Sequence, residues 1–181
     1  MATETFGDIV VISDVGATAN SYVSVADTLV YWSLDPYKKD NTYLEEDIAV
    51  SVIAATNQLN SEYWDKYNGY LYDTSYALHF PRTSVRDSRG VEITDYTTFP
   101  AELGRAVAMQ AWYMLEEDRT SEVATSNVKK LEMDGLGSKE FFSTSQQMSL
   151  KKKVIHEEVE KILGPYISTG SGKYSSFLGR A

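Results

Sequence analysis

The stretch TYLEEDIAVSVIAATNQLNSEY, residues 42–63, decides the class of this fold. Thr42 and Glu45 have the spacing of a capping box, a hydroxyl at the cap and an acid three residues on. Behind them Ile48, Val52, Ala55 and Leu59 recur at steps of four, three and four, which places them on one face of a helix. The pattern predicts a helix from about Tyr43 to Tyr63 with that stripe buried. Working outward, Ser24 and Asp27 predict the start of an earlier helix with Ala26, Leu29, Val30 and Ser33 on one face. It must stop by Asp35-Pro36, because proline disfavours helix at the residue before it. Downstream, Phe99-Pro100-Ala101-Glu102 opens a third helix, with Pro100 in its first turn and Leu103, Val107, Gln110, Ala111 and Met114 facing the core. Leu150, Val154, Val159, Ile162 and Leu163 mark a fourth, stopped by Gly164-Pro165.

Strand signals are fewer. Ile9-Val10-Val11-Ile12, flanked by Gly7 and Gly16, reads as a short strand. Val128 to Met133, the turn pair Asp134-Gly135, and Lys139 to Phe142 read as a hairpin. Asn68-Gly69 and Asp87 to Gly90 are turns by composition, and the aromatic run Tyr70 to Phe80 between them is irregular. The expected fold is therefore mainly α (α+β): a small bundle of about four helices with a β-hairpin near 128–142 and extended termini. Residues 1–16 form an arm, 17–167 the body and 168–181 a flexible tail. At 181 residues the chain is long enough for one real core and too short for two large domains.

Composition removes several functions. There is no cysteine, hence no disulfide framework, thiolate nucleophile or cysteine-held metal. No apolar run approaches the roughly 18 residues of a membrane helix, and the acidic start, with Glu4 and Asp8, is no secretory signal. Formal net charge is −9; residues 1–120 hold 8 basic and 19 acidic groups, and residues 121–181 hold 9 and 7. An acidic body disfavours tight nucleic-acid binding, whose affinity comes largely from Lys and Arg on phosphates.

Motifs of chemistry are weak. Gly170-Ser171-Gly172-Lys173 lacks the earlier glycine of a phosphate loop, with Ile167 in its place, and Tyr174 stands where a hydroxyl should coordinate magnesium. His156 and Glu160 are four apart, the spacing of shared metal ligands, but beside Lys151-Lys152-Lys153 they read as a solvated helix face. His79, between Leu78 and Phe80, reads as a half-buried hydrogen-bonding residue. No catalytic, cofactor-binding or metal-binding residue is assigned, and the chain reads as a non-enzyme. Its 13 tyrosines suit a core and a protein interface better than base stacking, since Tyr63 to Tyr76 carries Lys66 against Glu62, Asp65 and Asp73.

Several segments together resemble one phage family. Ala19-Asn20-Ser21-Tyr22-Val23-Ser24-Val25-Ala26-Asp27 with Tyr31-Trp32 is similar to its opening signature. Leu78-His79-Phe80-Pro81-Arg82, Asp87, Gly90, Phe99-Pro100 and Ala106 resemble its central pattern, with Phe80 where tryptophan is usual. The resemblance covers about residues 17–167 and is to the head–tail connector, or adaptor, proteins of tailed bacteriophages, whose members often carry the label DnaT-like single-stranded DNA-binding protein. It implies a virion structural protein: a homo-oligomeric ring of twelve copies in the neck, beneath the portal, joining capsid to tail. Its partners would be the portal protein, a downstream neck or tail protein, and itself. Double-stranded DNA would pass through the lumen without specific binding. The protein would be made in the host cytoplasm and touch no membrane. The alternative is a single-stranded DNA-binding protein of phage replication. Asn20, Ser21, Tyr22, Val23, Phe80, Pro81, Arg82 and Pro100 are expected to be structural motif residues. Lys173, Tyr174, Phe177, Leu178 and Arg180 are expected to dock the tail on the portal or a neighbouring subunit.

Overall fold

The computed structural model describes residues 3–39, 42–116, 130–133, 137–140 and 154–168. Among them are four α-helices and three two-stranded antiparallel sheets, so the mixed, mainly helical class expected from sequence holds. The chain divides into two compact units, Met1–Glu117 with Ile155–Ala181, and Asp118–Val154.

The first unit opens with a hairpin, β1 (Thr3–Phe6) and β2 (Ile9–Ile12), in the register Thr3↔Ile12 to Phe6↔Ile9. Gly7 occupies the first turn position at φ +57°, a backbone conformation open to glycine because it has no Cβ. Helix α1 (Val25–Ser33) starts as expected: the Ser24 hydroxyl accepts the Asp27 N–H at 3.0 Å and donates to the Asp27 carboxylate at 2.8 Å. Its inner face differs from the expected one. Val25, Thr28 and Trp32 are buried, while Ala26, Val30 and Ser33 face outward. Trp32 decides the rotation, because its indole N–H donates to the Ala108 carbonyl at 2.9 Å and its ring meets Trp112 edge-on.

Helix α2 (Glu45–Tyr63) buries the anticipated Ile48, Val52, Ala55 and Leu59. The capping box does not form: Leu44 is the cap residue, with no side-chain bond, and Glu45, Glu46 and Asp47 instead place negative charge at the positive end of the helix dipole. Helix α3 (Ala101–Glu116) begins one residue later than expected, so Pro100 caps it, its carbonyl accepting from Leu103 at 3.0 Å. Helix α4 (Glu157–Leu163) follows His156, and Val154 precedes it. The α3 helix packs against the other three. Its buried Gln110 joins two of them, donating to Gln58 of α2 at 2.7 Å and accepting the His156 N–H at 3.1 Å.

Between α2 and α3, β3 (Tyr70–Leu71) pairs with β4 (Arg82–Thr83). Gly69, at φ +72°, makes the approach possible, since a Cβ there would lie 2.0 Å from the Thr83 carbonyl oxygen. After α4 the chain continues into the body: Tyr166 is fully buried, Ile167 bridges to Tyr67, and the Ser168 N–H donates to the Lys66 carbonyl at 2.7 Å. Tyr166 and Ile167, which open the polar C-terminal stretch in the sequence, are thus part of the fold. The apolar pocket around Phe80 and the hydrogen bonds to the α2–β3 turn hold them there.

The second unit contains β5 (Lys130–Met133) and β6 (Gly137–Glu140), paired from Lys130↔Glu140 to Met133↔Gly137. This is the expected hairpin, with its second strand starting two residues earlier than Lys139. Residues 128–129, 134–136 and 141–142 lie outside the described residues, as does Leu150.

Candidate functional site

The motif residues, scattered over eighty positions of sequence, converge on one buried aromatic centre. Asn20 fastens the signature loop to β2: its Oδ1 accepts the Ile12 N–H at 2.8 Å and its Nδ2 donates to the Val10 carbonyl at 2.7 Å. Ser21 is buried, its hydroxyl donating to the Val23 carbonyl at 2.8 Å and lying 3.4 Å from that of Thr56. Tyr22 meets Phe80 and Phe99 edge-on, with ring centroids 6.1 and 5.0 Å away. Its hydroxyl donates to Asn60 at 2.5 Å and accepts the His79 N–H at 3.1 Å. Phe80 is 1% exposed and also meets Tyr67 and Tyr166 edge-on. Val23 lies beside Gly104 of α3, the helix that Pro100 caps.

Arg82 completes the centre, binding three carbonyls of the α2–β3 turn: Nε to Asn68 at 2.7 Å, Nη2 to Gly69 at 2.7 Å and to Tyr67 at 3.3 Å. Its charge is used to hold the backbone turn. Burial, above all, pushes the phenols of Tyr22, Tyr67 and Tyr166 well above the usual range. For Tyr166 the hydrogen bond to Glu102 adds to that rise. His79 is held below the usual histidine value by burial and then by Arg82, so it is biased toward neutrality.

Two features of the surface stand apart from this centre. A groove of about 730 Å³ runs between the end of α1 and α3, lined by Leu34, Tyr37, Arg105, Met109 and Tyr113 among others. On β3 and the loop before α3, Tyr72 stacks on Tyr96 at 4.4 Å and 17°, with Tyr70 76% exposed two residues away. A smaller cavity of about 340 Å³ opens beside the signature loop, and its charged lining groups are Asp14 and Asp27. Most described cations are engaged within the chain. Lys38 pairs with Asp35, Lys66 with Glu62, Arg89 with Asp87 and Lys161 with Glu157. Among the described residues no group of three or more His, Cys, Asp or Glu could hold a metal ion, and no helix is long and apolar enough to cross a membrane.

The family model described as "Putative DnaT-like ssDNA binding protein" matches residues 9–181. The chain belongs to this DnaT-like family. No curated protein and no solved structure matches it. The family match takes in β2 and all four helices, hence every residue of the aromatic centre. It also takes in Lys173, Tyr174, Phe177, Leu178 and Arg180, which lie outside the described residues, as does the Gly170–Lys173 segment.

One expectation changes within the described part of this DnaT-like chain, and one contact was not foreseen. His156 is not on a solvated helix face with Glu160. It is the cap of α4, its Nδ1 accepting the Glu158 N–H at 3.2 Å while its ring stacks on Tyr113 at 3.6 Å. The reading from sequence overlooked Glu4, whose carboxylate accepts the Val25 and Ala26 N–H groups at 2.5 and 3.1 Å. That bond ties the N-terminal hairpin to the start of α1, where the helix dipole favours an anion. A partner twenty-one residues away leaves no local sequence signal.

Proposed function

We propose that this chain is a protein-assembly subunit, the head–tail adaptor that its sequence resembles. It would form a ring beneath the portal of a tailed phage, receive a downstream neck or tail protein, and leave DNA free to move through the lumen. The observation that carries this reading is the placement of charge. Lys38, Lys66, Arg89 and Lys161 face carboxylates of the same chain, Arg82 is held by three carbonyls, and residues 1–120 carry 19 acidic against 8 basic groups. Few of these cations remain to neutralise phosphates, while exposed tyrosines suit a protein interface.

The second reading is single-stranded DNA binding in replication. The match over residues 9–181 speaks for it more directly than for the adaptor, because the family's description names that activity. Exposed Trp64, Tyr70 and Tyr72 would be the rings on which bases stack.

Fluorescence anisotropy with a labelled single-stranded oligonucleotide at physiological salt separates the two. The adaptor reading expects nothing tighter than about micromolar, and nanomolar binding would replace it with the replication reading. Incorporation onto portal-bearing heads, imaged by negative stain, supplies the positive test. Deleting residues 170–181 is expected to abolish it while leaving the melting temperature nearly unchanged, and normal neck occupancy would remove the tail from the proposal.

A further inference from the structure

We infer that the groove between α1 and α3 and the tyrosine patch of β3 are the two halves of one head-to-tail contact between copies of this chain. The inference rests on the adaptor reading for its choice of partner.

The groove is concave, with Leu34 and Tyr37 76% and 94% exposed at its edge, Met109 buried within it and four charged residues in its lining, Asp35, Lys38, Arg105 and Glu158. Lys38 and Asp35 neutralise each other there, and Glu158 accepts from the Tyr113 hydroxyl at 2.6 Å. Arg105 is exposed and makes no ion pair among the described residues, and exposed Lys39 follows on the loop after α1. The patch has the opposite character. Tyr72, packed on Tyr96 with Tyr76 6.4 Å away, presents rings already held in place. Exposed Asp73 and Asp95, next in sequence to Tyr72 and Tyr96, pair with no cation among the described residues. Asp73 is fixed by the Ser75 N–H at 2.8 Å and Asp95 by the Thr97 N–H at 2.8 Å.

Charge therefore favours unlike surfaces. Patch against patch would oppose aspartates, whereas groove against patch sets Arg105 and Lys39 facing Asp73 or Asp95. Two different surfaces on each subunit are what a ring or filament requires, and a two-fold dimer does not. Rings that are ordered before contact also lower the entropy lost on association.

The chain has no cysteine, so single cysteines can be placed at will. Leu34→Cys and Thr74→Cys, both at exposed positions, are purified separately, checked by thermal melting, and treated with a short bismaleimide alone and as a mixture. The mixture is expected to give several times more cross-linked dimer than either variant alone. Arg105→Glu added to the Leu34→Cys copy should lower that yield, and Asp73→Arg in the Thr74→Cys copy should restore it. Equal yields from the single variants, or none from the mixture, overturns the inference. No portal, head or DNA is present, so the adaptor reading is judged separately by neck occupancy. Normal necks with Arg105→Glu would leave that reading standing and remove this contact.

Discussion

Around Phe80, the rings of Tyr22, Tyr67 and Tyr166 meet edge to face, and their hydroxyls bond to Asn60, to the Leu59 carbonyl and to Glu102. Around Tyr72, the rings of Tyr96 and Tyr76 lie at shallower angles to its own, 17° and 36°, and Tyr72 is 50% exposed. Both groups draw on the same short span of aromatic sequence. Phe80 is covered by Tyr166 from the extension after α4, whereas among the described residues β3 pairs with β4 alone and Tyr70 and Tyr72 stay exposed. An aromatic run can thus serve core and surface within a dozen residues. The deciding factor is what packs above each ring, which the run itself does not encode.

Removing the central ring of the buried group tests this contrast most severely. Phe80→Ala should cost about 3–5 kcal/mol in chemical denaturation, the range for buried aromatic truncation. Next comes Arg82→Met, which leaves the Asn68, Gly69 and Tyr67 carbonyls without their charged donor; a loss of about 2 kcal/mol is expected. Arg82→Lys should recover little of it, because one ammonium cannot reproduce the planar fork. Tyr166→Phe keeps the ring and deletes the bond to Glu102, for about 1 kcal/mol.

A smaller effect appears only in alkali. The hydrogen bond to Glu116, aided by desolvation, pushes the Tyr43 phenol from 10.0 up to about 12. Its contribution is complete below the unfolded-state value and is lost as pH rises through the folded one, because the unfolded chain ionises first. Stability should therefore decline more steeply between about pH 10 and 12 in the parent than in Tyr43→Phe, read from denaturation midpoints across that window. At the other extreme, Tyr72→Ser should leave stability within about 0.5 kcal/mol, as surface changes do. A drop as large as that of Phe80→Ala would erase the distinction between the two aromatic groups.

Part of this centre is legible in the sequence. Phe80, Pro81 and Arg82 stand out as a motif from residue type and from the resemblance; the structure buries Phe80 and sets Arg82 on three carbonyls, where residue type alone allows a carboxylate or a carbonyl as its partner. That Tyr166 belongs to the body is legible, but its full burial is not, because it stands between Gly164-Pro165 and a polar stretch rich in glycine and serine. It is fully buried because Phe80, distant in sequence, supplies the apolar wall. The groove is equally silent, since Leu34 and Arg105 come to line one groove only after α1 and α3 pack.

The sequence alone determined what depends on neighbours within a turn or two. The inner stripe of α2, the Ser24 cap and the stop at Gly164 repeat or end within a few residues, so helical periodicity and backbone sterics settle them. Only the tertiary structure decided which face of α1 turned inward, because that rested on Trp32 finding a carbonyl 76 residues away. It likewise brought the Glu4 carboxylate to the first N–H groups of α1, made His156 the cap of α4 rather than part of a solvated helix face, and made Tyr166 a core residue. Each of these choices satisfies a buried or terminal polar group, or covers an apolar ring, with an atom that local sequence cannot supply.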